Sequence, residues 1–142
     1  MADLERACAL LRDGGYTCVV CKGDYVYTSS ARGVRPVLDW LDSGLDLKGF
    51  SAADKVVGKA AAFLFVCAGV TRLYAATVSE PALSVLRDHG ISVEYDRCVP
   101  GIINRSGDGP CPMENAVRGT EDPEEALLLI RRKLAELRAH PN

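Results

Sequence analysis

Apolar positions along this chain fall into two periods, and the switches between them outline the elements. From Asp3 to Asp13, Leu4, Ala7, Cys8 and Leu11 share one helical face, and Gly14-Gly15 ends the run. Tyr16–Cys21 and Tyr25–Thr28 read as strands of a hairpin around the turn Lys22-Gly23-Asp24. Arg35–Asp42 is a short helix with Val34, Val37, Leu38 and Leu41 inward and Gly44 after it. Ser51-Ala52-Ala53-Asp54 matches a capping box, which predicts a helix from Ala52 to about Ala68, closed by Gly69. Beyond Lys59 that helix is apolar nearly all round, so it should run through the centre of the protein.

Leu73–Val78 is a predicted strand, and Ser79, Glu80 and Pro81 open a helix that ends near His89-Gly90. Ile91–Tyr95 and then Val99–Ile103 read as two further strands, with a loop over Asn104–Pro110. Pro112 suits the first position of a short helix. Asp122-Pro123-Glu124-Glu125 caps a terminal helix over 122–139, with Leu127, Ile130, Leu134 and Leu137 as its buried stripe. Strands alternating with helices predict an α/β protein, a three-layer α/β/α sandwich with one mixed sheet. With 142 residues, no repeats and no linker-like stretch, 1–142 reads as one domain.

A net charge of −2 offers no field for nucleic acid or an anionic membrane, and neither is expected as a partner. The basic cluster Arg131-Arg132-Lys133 with Arg138 shares its helix with Glu124, Glu125 and Glu136 and reads as a solvated face. The longest apolar run, Ala60–Val70, is far short of the ~20 residues a membrane helix needs. The N-terminal stretch is charged and amphipathic rather than a secretory signal, and together with six cysteines it points to the reduced cytoplasm.

The cysteines do not form a metal set. Cys18 and Cys21 lie three apart on a strand, so they point to opposite faces. Cys8 and Cys67 sit among apolar helical residues, Cys98 is ambiguous, and the two histidines have no suitable neighbours. No metal and no cofactor is expected.

Two clusters carry candidate chemistry. Asp54, Lys55, Gly58 and Lys59 fall in the first turns of the expected central helix, where Lys55 and Lys59 would share a face. A lysine there opposes the macrodipole, and a partly buried Lys59 calls for a partner such as Asp54 or Glu114. Gly58 in mid-helix costs ~1 kcal/mol against alanine, which makes sense where a ligand or another backbone approaches. The second cluster is Gly109–Asn115, GPCPMEN. With Pro112 as the first helical residue, Cys111 is the N-cap, where unpaired N–H groups favour a thiolate. Glu114 then stands at the third helical position, from which it can reach back to the cap backbone. In the loop before it, Asn104 and Arg105 offer an amide and a guanidinium to orient a ligand.

The stretch LYAATVSEPALSVL, Leu73–Leu86, resembles part of the cytidine-deaminase-like superfamily, as does the order helix, hairpin, central helix, strand, helix, strand. In that superfamily two zinc-binding cysteines follow the Glu-Pro, and the preceding helix carries a third ligand and a proton-shuttling glutamate. Here Ala82 and Val85 stand at the cysteine positions, and Gly58-Lys59-Ala60-Ala61 stands near the others. The resemblance therefore implies the fold without zinc-dependent deamination. It also implies a substrate site by the N-terminal end of the central helix. DKVVGKAAA (Asp54–Ala62) and INRSGDGPCPME (Ile103–Glu114) are similar to an uncharacterised bacterial domain family placed in this superfamily.

The expected function is a zinc-free enzyme on a small nucleoside-, base- or phosphate-like molecule. Cys111, Lys59 and Glu114 would be catalytic, and Asp54, Lys55, Gly58, Asn104 and Arg105 would bind the ligand. Lys59 would stabilise a developing negative charge, and Cys111 would attack. The alternatives are a non-catalytic ligand-binding or sensing module on the same fold, and a redox or protein-interaction module working through Cys111. Members of the superfamily often form dimers or tetramers, and the apolar content here permits a homodimer.

Overall fold

In the structure, a computed structural model, residues 2–103, 107, 109 and 111–139 are described. Helix α1, Asp3–Gly14, leads into the hairpin β1, Cys18–Lys22, and β2, Tyr25–Ser29. Then come α2, Arg35–Asp42; β3, Ser51–Val57; α3, Lys59–Ala68; β4, Arg72–Ser79; and α4, Glu80–Asp88. Strand β5, Ser92–Val99, is followed by the short α5, Pro112–Val117, and by α6, Pro123–Ala139. The five strands form one sheet in the order β2-β1-β3-β4-β5. β1 is antiparallel to both β2 and β3, and β3, β4 and β5 run parallel.

Strand periodicity sends alternate side chains into two cores. On one face α1 covers Val19, Cys21, Ala53 and Tyr74 with Ala7, Cys8 and Leu11. On the other, Cys18, Val20, Ala52 and Val57 meet the helices built around Phe63, Leu64 and Phe65. Cys18 and Cys21 thus lie in different cores, as a strand requires. The result is a three-layer α/β architecture with a mixed sheet.

The main correction concerns the central helix. Ser51–Val57 is a strand, not the start of a helix, and Ser51–Asp54 forms no capping box. β3 sits in the middle of the sheet, pairing Cys18 with Asp54 on one side and Asp54 with Ala75 on the other. Two ladders of backbone hydrogen bonds outweigh the helix preference of Ala52 and Ala53. Helix α3 starts only after Gly58, is buried along most of its length, and ends at Gly69 with φ of 82°. Two smaller differences follow the same logic. β5 runs on to Val99, beyond the expected end at Tyr95, and the second expected strand over Val99–Ile103 does not form, since Pro100–Ile102 belong to no strand. On α6 the inner stripe runs through Ala126 and Ile130, whereas Leu137 is 41% exposed.

Candidate functional site

The turn from β3 to α3 is a single residue, Gly58, in extended conformation. Beside it a cleft of about 310 Å³ opens between β3, α3 and the start of α5. Asp54, Lys55 and Gly58 line it from one side, Cys111 and Glu114 from another. Five of the sequence-derived candidates therefore share one cavity. Asn104 and Arg105 lie outside the described residues.

Asp54 is the buried charge of this cleft, 6% exposed. Cys18 is its cross-strand neighbour, and the Val56 N–H donates to its Oδ1 at 3.3 Å. No described salt bridge includes it. Burial pushes the carboxyl up to about 7, and the hydrogen bonds from Val56, Lys55 and Cys18 offset only part of that push. Near neutrality Asp54 can therefore act as hydrogen-bond donor or acceptor. Burial, with the nearby Asp54 charge, holds the Cys18 thiol well above its ordinary value.

Glu114 does not cap its own helix. Its carboxylate accepts the backbone N–H of Lys59 at 2.6 Å and of Ala60 at 3.0 Å, closing the N-terminus of α3. Those amides have no partner inside the helix, and an acid suits the positive end of the dipole. The same carboxylate explains Gly58: a Cβ there would lie 2.4–2.8 Å from it. The close approach expected at Gly58 is thus made by a side chain.

Lys59 and Lys55 do not share a face, because one begins α3 and the other lies exposed on β3. The Lys59 ammonium forms no described salt bridge with Asp54. It donates to the Arg118 carbonyl and to Glu121, both at 3.1 Å, and lies 5.8 Å from the Phe63 ring centre. It lines a second cleft of about 610 Å³ with Pro81, Pro100, Ile102, Arg118 and Glu114. Glu121, its partner, was not among the sequence-derived candidates.

Cys111 is the N-cap of α5, as the proline predicts, with extended backbone and no side-chain cap bond. The helix it precedes has six residues. Cys111 is half-buried against the core and faces the cleft. Thr17, Arg32, Val34, Ile102 and Met113 are among the other lining residues and were not read from the sequence. The Thr17 hydroxyl lies within hydrogen-bond reach of the carbonyls of both Ser29 and Ala31, which share its single proton.

Residues 6–134 match the family described as TM1506, a domain of unknown function (DUF1893). The chain belongs to this family. The crystal structure of a DUF1893 family protein (TM1506) from Thermotoga maritima is 30% identical, with a TM-score of 0.82 over 94% of this chain and 89% of that one. A diaminohydroxyphosphoribosylaminopyrimidine deaminase/5-amino-6-(5-phosphoribosylamino)uracil reductase from Thermotoga maritima is 18% identical. It covers 66% of this chain and 35% of that one at a TM-score of 0.43. No curated protein matches the sequence. In this DUF1893 chain, Ala82 and Val85 are buried on the inner face of α4. Among the described residues no three His, Cys, Asp or Glu side chains are grouped as a metal site would need. No helix among them is long and apolar enough to cross a membrane.

Proposed function

We propose that this domain binds a small, flat, nucleoside- or base-like molecule in the cleft beside Gly58, with Asp54 reading its hydrogen-bonding edge. The observation that carries the reading is Asp54 itself: a buried carboxyl without an ion-pair partner among the described residues, lining a largely apolar cavity. Such a group is costly in the free protein and gains when a ligand supplies a hydrogen-bond partner. Arg32 and Lys55 line the same cleft and suit an anionic substituent. The cleft opens by the N-terminal end of α3, where the deaminase-like resemblance puts a substrate. The free cysteines suit a reducing compartment such as the cytoplasm.

Binding is favoured over Cys/Lys catalysis because Lys59 and Glu114 are engaged elsewhere. The ammonium is held by Glu121 and the Arg118 carbonyl, and the carboxylate is held by two amides. The enzyme reading retains Cys111, whose thiol faces the same cavity as Asp54. One experiment separates the two. A panel of nucleosides, bases and their phosphates is screened by ligand-observed NMR against the wild type, Asp54→Asn and Cys111→Ser. Binding that falls at least ~10-fold in Asp54→Asn and persists in Cys111→Ser supports the binding module. Equal binding by the wild type and Asp54→Asn sinks the reading. Turnover or a covalent adduct lost only in Cys111→Ser moves the assignment to an enzyme.

A further inference from the structure

Among the described residues the sheet ends in β2 on one side and β5 on the other, and these two edges differ in chemistry. β5 carries Glu94, Asp96 and Arg97, all exposed. Charges on an edge strand hinder pairing with another chain. A two-fold pairing of β5 with itself centred on Tyr95 sets Glu94 opposite Asp96. Centred on Asp96, it sets that acid opposite itself. Both place like charges across from each other, which is unfavourable.

β2 has no such guard. Its sequence is Tyr-Val-Tyr-Thr-Ser, without charge, proline or glycine. Tyr25 is 63% exposed and Val26 38%. Lys22 pairs with Tyr25 across the two-residue turn Gly23-Asp24, so alternation leaves the N–H and C=O groups of Val26 and Thr28 pointing away from β1. A β-rich, neutral strand with open backbone groups is a template for a partner strand.

We infer that β2 is a self-association edge, and that two copies of this chain join through antiparallel β2 strands into one continuous sheet. The strand is complementary to itself. About a two-fold at Tyr27, Val26 lies opposite the second copy's Thr28, a β-branched pair using the outward backbone groups of both. Tyr25 lies opposite the second copy's Ser29. The same register sets Asp24 opposite Ser30, beside the end where the second copy's Arg32 leaves its strand. Neither Asp24 nor Arg32 has an ion-pair partner among the described residues. An acidic and a basic residue thus lie within a few positions of each other at both ends of the pairing. Because Arg32 also lines the Asp54 cleft, the second copy's hairpin turn would stand at the mouth of that cleft. An edge of five residues makes a small interface, so the dimer is weak and concentration-dependent.

Sedimentation velocity from about 1 to about 500 μM tests this on the full chain, that range covering small interfaces. The wild type is expected to shift from monomer towards dimer. Val26→Lys/Thr28→Lys, which sets lysines opposite each other, is expected to remain monomeric with unchanged circular dichroism and melting. A control change on the other edge, Cys98→Ser, should dimerise like the wild type. Amide exchange at Val26 and Thr28 should slow as the wild-type concentration rises. A wild type that stays monomeric throughout overturns the inference, as does a dimer that the lysine pair leaves intact. If the lysine pair does not fold, the amide-exchange measurement on the wild type decides alone. None of these outcomes depends on whether the Asp54 cleft takes a ligand.

Discussion

Glu114 Oε1 lies 2.6 Å from the backbone nitrogen of Lys59, so a carboxylate from α5 closes the first turn of α3 across 55 residues of chain. This long-range cap ties the short helix to the central one. Glu114→Ala removes an acceptor from two amides at once. It should cost about 1–3 kcal/mol in urea unfolding, at or above the ordinary range for a lost cap.

The tie leaves no room at Gly58. Gly58→Ala places a methyl within 2.8 Å of the Glu114 carboxylate and should cost about 1–3 kcal/mol, as overpacking does. The two residues share one contact, so Gly58→Ala/Glu114→Ala should be markedly less destabilised than the sum of the single changes. Full additivity in the same urea titrations would show that the two do not communicate.

Asp54 gives stability a pH dependence of definite sign. Its carboxyl is pushed from 3.8 up to about 7 in the folded protein, so between these values the folded state holds the proton more tightly than the unfolded one. The stabilisation from protonation is complete below about pH 4 and is lost as pH rises through 7. The loss is on the order of 4 kcal/mol in all, at no more than about 1.4 kcal/mol per pH unit. Denaturant midpoints measured from pH 5 to 8 should fall in the wild type and be flatter in Asp54→Asn. Parallel curves for the two proteins would rule out Asp54 as the source.

Lys59 is 8% exposed, but its ion-pair partner Glu121 has a side chain 78% exposed. Glu121→Gln should therefore change stability by less than about 1 kcal/mol. Lys59→Met, which keeps the apolar stem against Phe63, should leave ligand binding in the Asp54 cleft within about twofold. A large loss of binding would return Lys59 to the binding machinery.

Exposure orders the cysteines. Cys98 is exposed and Cys111 half-buried, whereas Cys18 and Cys21 are fully enclosed. Iodoacetamide should label Cys98 and Cys111 long before Cys18 and Cys21, read by peptide mass spectrometry. A ligand in the Asp54 cleft should slow labelling at Cys111 and leave Cys98 unchanged. Equal slowing at both sites would point to a general change in the protein instead of occupancy of the cleft.

Much of this architecture was legible in the sequence because it is written in local signals. Pro112 and Gly69 mark a helix start and a helix end that local sterics enforce. The alternation through Cys18, Val19, Val20 and Cys21 fixed which side chain met which core. The boundary at Gly58 was not legible. Ser51-Ala52-Ala53-Asp54 is as good a helix start as a strand, and only the ladders to β1 and β4 decide between them. The site divides the same way. Asp54, Lys55, Gly58, Cys111 and Glu114 drew notice as polar or glycine interruptions, and the fold brings them to one cleft. The partnership of Lys59 with Glu121 spans 62 residues and leaves no local trace. Thr17 reads as an ordinary strand position and Arg32 as ordinary loop sequence, so nothing marks them as lining.

Because the chain passes from β3 to α3 through Gly58 alone, Asp54 and the Lys59 amide stand on one short, doubly anchored piece of backbone. That side of the cleft is a fixed anvil. The opposing side is contributed by Ile102, Cys111, Met113 and Glu114, which lie outside the sheet, the last two in a helix of six residues, and segments outside a sheet vary more readily than its strands. Divergence among relatives in what they accept should therefore accumulate on the Ile102–Glu114 side, while the Asp54 side retains its shape.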